Sequence, residues 1–303
     1  RLAMGYTFFH WGISQWSIFA MAGLIVAYFQ FRKKRDGLIS TAMEPVFGEA
    51  YKRPIRNVID ILAIIATVMG IATSIGLGIM QISGGLNHVF HVPNNNITKI
   101  SITLLMMIIF IGSGITGLGR GVKWLSNLNI ILGALLLIFM LIFGDLKFIF
   151  ESYTLAIGDY IRHFVEYSLR IDPYTNNNAW IQQWTVFYWA WVISWSPFIG
   201  GFVARVSRGR TIREFILCVL VVPPLISFVW ICGFGGTAIK IAMGGDKIAS
   251  LVDKDYTVAL FELLSKFPLS DITSGLAILL IFLFIVTSAD STTHILSLIH
   301  ISD

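Results

Sequence analysis

Charge is what this sequence has least of. Only 13% of its 303 residues are charged and 56% are hydrophobic, where soluble domains carry about 25% charged residues. A mean hydropathy of +0.77 is more apolar surface than a water-soluble globule of this size could hide, so the sequence reads as an integral membrane protein, and disorder is excluded with it. There are two cysteines, Cys218 and Cys232, both inside apolar runs. That excludes a disulfide framework and a cysteine-rich metal centre. The sequence contains no HExxH, no GxSxG, no P-loop and no cysteine pair at metal spacing, so nothing in it reads as an enzyme or as a cofactor site. No signal-peptide pattern follows Arg1. The chain starts with Arg and enters an apolar run at once, which reads as an internal piece of a longer protein.

What is present is a series of apolar segments. A helical span needs about 20 mostly apolar residues, and seven segments qualify: about 3–31, 58–82, 97–118, 125–143, 179–203, 215–241 and 272–289. None has the alternating pattern of a membrane barrel, so the fold class is all-α, a polytopic membrane helix bundle. Basic residues set its orientation. The connections after spans one, three and five hold 13 of the 22 Lys and Arg against 5 acidic residues, and the other side holds 9 against 10. The first side is therefore cytoplasmic. The net charge of +5 is a topology signal, and nucleic acid is not an expected partner. Residues 146–177 carry apolar pairs among scattered charges, as in an amphipathic helix on the outer membrane surface.

The fifth span holds four tryptophans within twelve residues, Trp184, Trp189, Trp191 and Trp195. Phe187, Trp191, Trp195 and Phe198 share one helical face by their spacing. Trp184 and Tyr188 fit an interfacial aromatic belt. Trp195 lies ~24 Å along the span at 1.5 Å per residue, too deep for a belt. It precedes Ser196-Pro197, where proline removes a backbone hydrogen bond and frees a carbonyl. Two readings stay open: ordinary core packing, or an aromatic cage for a quaternary ammonium group held by cation–π attraction. The first span repeats the theme with His10, Trp11, Trp16 and Phe19. Its lone histidine reads as structural rather than as a metal or proton site. In the seventh span Thr287 and Ser288 follow Phe284 by one turn. The hydroxyls can bond back to their own helix, or with the Phe284 carbonyl they can offer hard oxygen ligands to a small cation. Asp290 is either functional or solvated beside the Arg205–Arg213 cluster. Thr67, Gly70, Thr73, Ser74, Gly76 and Gly78 read as a close-packing face in the second span.

The run from Trp184 to Phe215, with Phe9-His10-Trp11, Trp16 and Val286-Thr-Ser-Ala-Asp-Ser291, resembles the betaine/carnitine/choline transporter family. The resemblance covers about residues 3 to 292. It implies a twelve-helix fold of two inverted five-helix repeats, with the seven spans here as the fourth to tenth helices. It implies a multi-pass protein of the bacterial cytoplasmic membrane, in contact with lipid and assembled as a homotrimer. It implies uptake of a quaternary-ammonium osmolyte (glycine betaine, choline or carnitine), coupled to sodium, by alternating access. Sodium-independent exchange is the alternative within the family, and an osmosensor that binds without transporting is an alternative outside transport. The resemblance puts Trp191, Trp195, Phe187, Trp11, Trp16 and Phe19 around the substrate. It puts Thr287, Ser288 and the Phe284 carbonyl around a sodium ion, and Thr67 with Phe198 near a second one. No cofactor is expected beyond that coupling ion. Three positions depart from the family pattern: Val192 stands for a frequent Trp, Phe19 for a frequent Tyr, and Ile71 for a frequent Thr at the second sodium site. The family's glycine-rich third helix has no counterpart in the sequence, so the chain alone is expected not to transport. The pattern stops after Thr292, and 294–303 read as a non-native tail.

Overall fold

The computed structural model describes residues 1–48, 53–115, 121–171 and 179–300, with side chains outside 113–115, 121–122 and 290–300. The described residues contain helices and no strand. In chain order the helices are α1 (Leu2–Trp11), α2 (Ile13–Ala27), α3 (Ile39–Phe47), α4 (Arg53–Phe90), α5 (Asn96–Ile115), α6 (Gly121–Phe143), α7 (Leu146–Arg162), α8 (Phe164–Leu169), α9 (Phe187–Val206), α10 (Ile212–Ile231), α11 (Thr237–Met243), α12 (Ile248–Lys254), α13 (Ala259–Leu264) and α14 (Ser270–His300). Six helical stretches among the described residues are long and apolar enough to cross a membrane: Leu2–Arg32, Arg53–Phe90, Lys123–Phe143, Ile181–Val206, Ile212–Met243 and Ser270–Ala289. A shorter apolar stretch, Asn96–Gly112, belongs to α5, where the third span was expected. The end of that expected span, the side chains of 290–300 and residues 301–303 of the tail lie outside the described residues. So do 172–177 of the outer connection, whose described part is α7 and α8.

The chain divides into two compact units. One is Arg1–Thr73 with Leu155–Phe228 and His294–Asp303, and the other is Ser74–Thr154 with Val229–Thr293. Helices α4, α7, α10 and α14 each contain a boundary between them.

In the first unit α2 packs along α9. Their crossing is close because glycine faces it from both sides. A Cβ on Gly23 would lie 3.2 Å from the Gly200 carbonyl, and one on Gly200 would lie 2.7 Å from the Ala22 Cβ. Lipid tails are as apolar as leucine, so dispersion contacts drive helix association in a bilayer, and small residues let backbones approach. Around the crossing Ala20, Val203, Phe215 and Val219 form a buried cluster, and Phe19, Tyr188 and Val192 form another.

The first span, expected over about 3–31, is the apolar stretch Leu2–Arg32, and it contains an interruption. The chain breaks at Gly12, which adopts φ −94° and ψ −150° and separates α1 from α2. The break leaves helix N–H groups without partners in their own helix. The Ile13 N–H finds one in the Tyr160 hydroxyl of α7, 3.1 Å away. Proline 197 is the opposite case. The helix was expected to break there with a free carbonyl, yet α9 runs through it. Proline at 197 releases the carbonyl four residues earlier, that of Ile193, and the Ser196 hydroxyl donates to it at 2.7 Å.

The second unit is built on the inward faces of α6 and α14. Leu136 and Met140 of α6 join Phe234, Ile248, Phe261, Leu263, Leu264 and Ala277 in one buried cluster. A second cluster joins Ile82 of α4, Ile102 and Met106 of α5, and Val286 of α14. At Gly85 of α4 any Cβ would fall inside the Phe261 ring, so glycine is what lets α13 seat against α4. At one end of this unit Lys266 Nζ lies 3.0 Å from both Asp246 and Glu262. The Lys266 hydrogen bond holds the Asp246 carboxyl below the usual aspartate range, and Lys266 itself is raised by the same contacts with Asp246 and Glu262.

Candidate functional site

Helix α9 positions most of the aromatic residues. Tyr188, Val192 and Ile199 turn toward α2, and Trp189, Trp191 and Trp195 pack at the edges of the same cluster. From α2 come Phe19, buried at its centre, and Trp16 beside it. The Trp16 and Phe19 rings meet edge to face at 5.6 Å and 84°, and Trp195 meets Phe198 at 5.5 Å and 69°. Such edge-on contacts suit ring quadrupoles. Four of the six aromatic residues expected around a ligand therefore gather at one place: Trp16, Phe19, Trp191 and Trp195. The other two lie apart from it. Trp11 packs on Tyr188 at 5.7 Å and is 39% exposed, and Phe187 is 46% exposed.

Two residues fix the tryptophans without having been expected at the site. Gly70 of α4 accepts the Trp191 indole N–H at 3.3 Å. A Cβ on Gly70 would lie 3.0 Å from Trp195 Cδ1 and 3.2 Å from Ser194 Cβ. The sequence does show Gly70 as a close-packing position, and the structure shows what approaches it. Tyr188 is buried and donates its hydroxyl to the Gln15 side-chain carbonyl at 2.6 Å. The His10 ring stacks on Tyr188 at 4.8 Å, and its Nε2 lies 3.1 Å from the Thr185 hydroxyl. His10 is thus packed and bonded inside the protein. These contacts tie the N-terminal end of α9 to α1 and α2. A lone Gln inside an apolar span was the available signal for Gln15.

One polar atom among these aromatics has no protein partner. The Trp16 indole Nε1 is buried and makes no hydrogen bond. A buried donor left unpaired costs free energy, and in a wall of rings it is a place for a ligand's acceptor.

In the second unit Thr287 is buried and its hydroxyl donates to its own helix, to the carbonyls of Leu283 at 3.0 Å and Phe284 at 3.1 Å. The same oxygen accepts from the Asn129 amide of α6 at 3.2 Å. Ser288 is half-buried, next in the chain. The Phe284 side chain is exposed, while its carbonyl belongs to the Thr287 turn. In the first unit Thr67 is buried and bonds back to the Ala63 carbonyl at 2.9 Å. Phe198 is buried against Trp195. Among the described residues no three His, Cys, Asp or Glu side chains gather as a metal site.

Residues 1–302 match the family described as BCCT, betaine/carnitine/choline family transporter. The chain belongs to this family. Its members are transporters and not enzymes, and the chain is accordingly a multi-pass plasma-membrane protein. It is 53% identical over 299 residues to an ectoine/hydroxyectoine transporter of Virgibacillus pantothenticus, covering 98% of this chain and 59% of that protein. It is 46% identical over 300 residues to the glycine betaine transporter OpuD of Bacillus subtilis, covering 98% and 58%. It is 36% identical over 297 residues to a high-affinity choline transport protein of Escherichia coli, covering 98% and 44%. The chain therefore spans less than two thirds of the length of these relatives.

Proposed function

We propose that the full-length protein takes up a small osmolyte that carries a diffuse cation and a carboxylate, with glycine betaine as its type. The observation that carries this is the cluster of Trp191, Trp195, Trp16 and Phe19 with the unpaired Trp16 N–H among them. A quaternary ammonium group has no hydrogen-bond donor, so water solvates it weakly and aromatic faces attract it, by ~2 kcal/mol or more when desolvated. Trp191 and Trp195 supply those faces, Phe19 completes the wall, and the Trp16 indole takes the carboxylate. Trp11 and Phe187 stand toward the outer end of their helices and guard the approach. Choline has no carboxylate and offers the Trp16 donor only a neutral hydroxyl oxygen. A cyclic amidinium carboxylate such as ectoine also fits this chemistry, and the relative at 53% identity favours it as a second reading.

Coupling to sodium is part of the proposal. Thr287, Ser288 and the Phe284 carbonyl are the ligands, supported by the buried and correctly turned Thr287 hydroxyl. Thr67 with Phe198 is the place of a second ion in this reading, and the Thr67 hydroxyl bonds back to Ala63 as that of Thr287 does to its own helix. Substrate and sodium bind from outside, the helices rock about the site, and both leave inside. The membrane potential adds ~2.3 kcal/mol per charge per 100 mV.

The test is uptake of labelled glycine betaine by cells producing the full-length protein. Trp195→Ala is expected to abolish uptake at unchanged membrane level, and undiminished uptake would overturn the cage. Replacing sodium by potassium is expected to stop wild-type influx. Influx that persists would mean exchange, and saturable binding without accumulation in sealed vesicles would mean a sensor. Excess ectoine that blocks betaine uptake supports the second reading.

A further inference from the structure

Helix α6 is almost wholly apolar, and its buried stripe is Asn129, Leu132, Leu136 and Met140, spaced 3, 4 and 4 residues apart. Three of these four positions are what an inward-facing membrane helix should carry. Asn129 is not. It is 7% exposed, its amide Nδ2 donates to the Thr287 hydroxyl, and its carbonyl Oδ1 is buried with no hydrogen-bond partner. A buried carboxamide that satisfies one end and strands the other is a poor adhesive. Leucine at the same place would extend the cluster below it at no such cost.

The Thr287 proton is already committed to the Leu283 and Phe284 carbonyls. The lone pairs of its oxygen therefore face α6, and they meet Asn129. A half-turn of the Asn129 amide about its last torsion exchanges Nδ2 and Oδ1. It would bring a second neutral oxygen to the Nδ2 position, 3.2 Å from Thr287 Oγ1. Cations of calcium's size, sodium among them, take oxygen ligands at about 2.3–2.6 Å. Two oxygens at that spacing would subtend an angle of roughly 85° at an ion about 2.4 Å from each, close to the right angle between neighbouring ligands of an octahedral shell.

We propose that Asn129 is a ligand of the coupling cation and its placeholder. Without the ion its N–H occupies the Thr287 oxygen. With the ion the amide turns over and offers Oδ1. This rests on the reading of Thr287 as a sodium ligand and extends that site to a helix the sequence pattern left out of it. Binding of sodium would thus exchange one amide contact for two oxygen contacts.

The experiment uses purified full-length protein. Its melting temperature is followed as sodium is titrated against potassium at constant ionic strength. Wild type is expected to show a saturable, sodium-specific rise. Thr287→Ala and Asn129→Leu are each expected to raise the half-saturating sodium concentration about tenfold or more, the lower range for losing a group that orients or completes a metal site. Asn129→Asp, which keeps an oxygen at the position, is expected to retain the sodium response with a half-saturating concentration below that of the apolar variants. Asn129→Ala carries the same expectation as the leucine variant and replaces it should that variant not accumulate. A sodium response in Asn129→Leu or Asn129→Ala that matches wild type, while Thr287→Ala loses it, overturns the role of Asn129 and leaves the Thr287 site standing. Loss of the response in Asn129→Asp equal to that in the apolar variants also overturns it. A wild type without any sodium response overturns the sodium site itself, which is a different result.

Discussion

Gly70→Ala separates the fit of the tryptophans from the stability of the helix that supports them. The added methyl would lie 3.0 Å from Trp195 Cδ1, 3.2 Å from Ser194 Cβ and 3.3 Å from Trp195 Nε1. Carbon atoms are comfortable at about 3.5–4.0 Å, so the indole must retreat by roughly 0.5 Å. A gap of that size forfeits about a quarter to a half of a contact. Applied to a cation–π attraction of ~2 kcal/mol, the loss is ~0.5–1 kcal/mol, or about a two- to fivefold weaker half-saturation for the osmolyte. Helix propensity acts in the other direction, since alanine is better than glycine in a helix interior by up to ~1 kcal/mol. The variant should therefore be produced at the wild-type level or above and melt no lower, while its half-saturating betaine concentration rises. The assay is concentration-dependent uptake alongside a melting curve of the purified protein. Gly70→Val adds two more carbons in the same place and should lose far more. Unchanged half-saturation in Gly70→Ala would refute the idea that Gly70 seats Trp195, and lower stability with unchanged half-saturation would make it a packing glycine alone.

Two further outcomes follow from the polar contacts. Tyr188→Phe removes the 2.6 Å hydrogen bond and leaves the Gln15 amide buried without it. That should destabilise the protein by ~1–3 kcal/mol with little change in osmolyte half-saturation, read by denaturation and uptake together. Asp145 and Asp246 are both held below the ordinary aspartate value of 3.8, the first by its hydrogen bond from Lys240 and the second by that from Lys266. A depressed carboxylate contributes stability that is present above its unfolded value and disappears as pH falls through its folded one. The melting temperature should thus owe no loss to these pairs between pH 7 and 5 and should fall below about pH 4. Asp246→Asn should flatten that acid limb, and an unaltered limb in the variant would refute the assignment.

Much of this protein was legible in its sequence because a bilayer is a demanding solvent. Helical spans follow from apolar run length, since an unbonded backbone and a buried charge are both expensive in lipid. Aromatic spacing on one face was enough to group Trp191 with Trp195. The close-packing stripe of the second span was readable for the same reason, as glycine tells of close approach whatever the partner.

The partners themselves were not readable. Gly12 breaks the first span although nothing local demands it, because the group that satisfies the Ile13 N–H is Tyr160, 147 residues on. Pro197 does not break its helix, because Ser196 takes the carbonyl that proline releases. Phe187 shares a face with Trp191 by spacing, yet it lies exposed while Phe19 and Tyr188 are buried. Asn129 carried no signal beyond being an amide in an apolar helix, and its contact with Thr287 spans 158 residues. By itself the sequence determined the solvent, the helices and which residue types a cation would want. Only the tertiary structure decided which of those residues meet, because a hydrogen bond or a ring contact depends on two places in the chain at once, and hydropathy is a property of one.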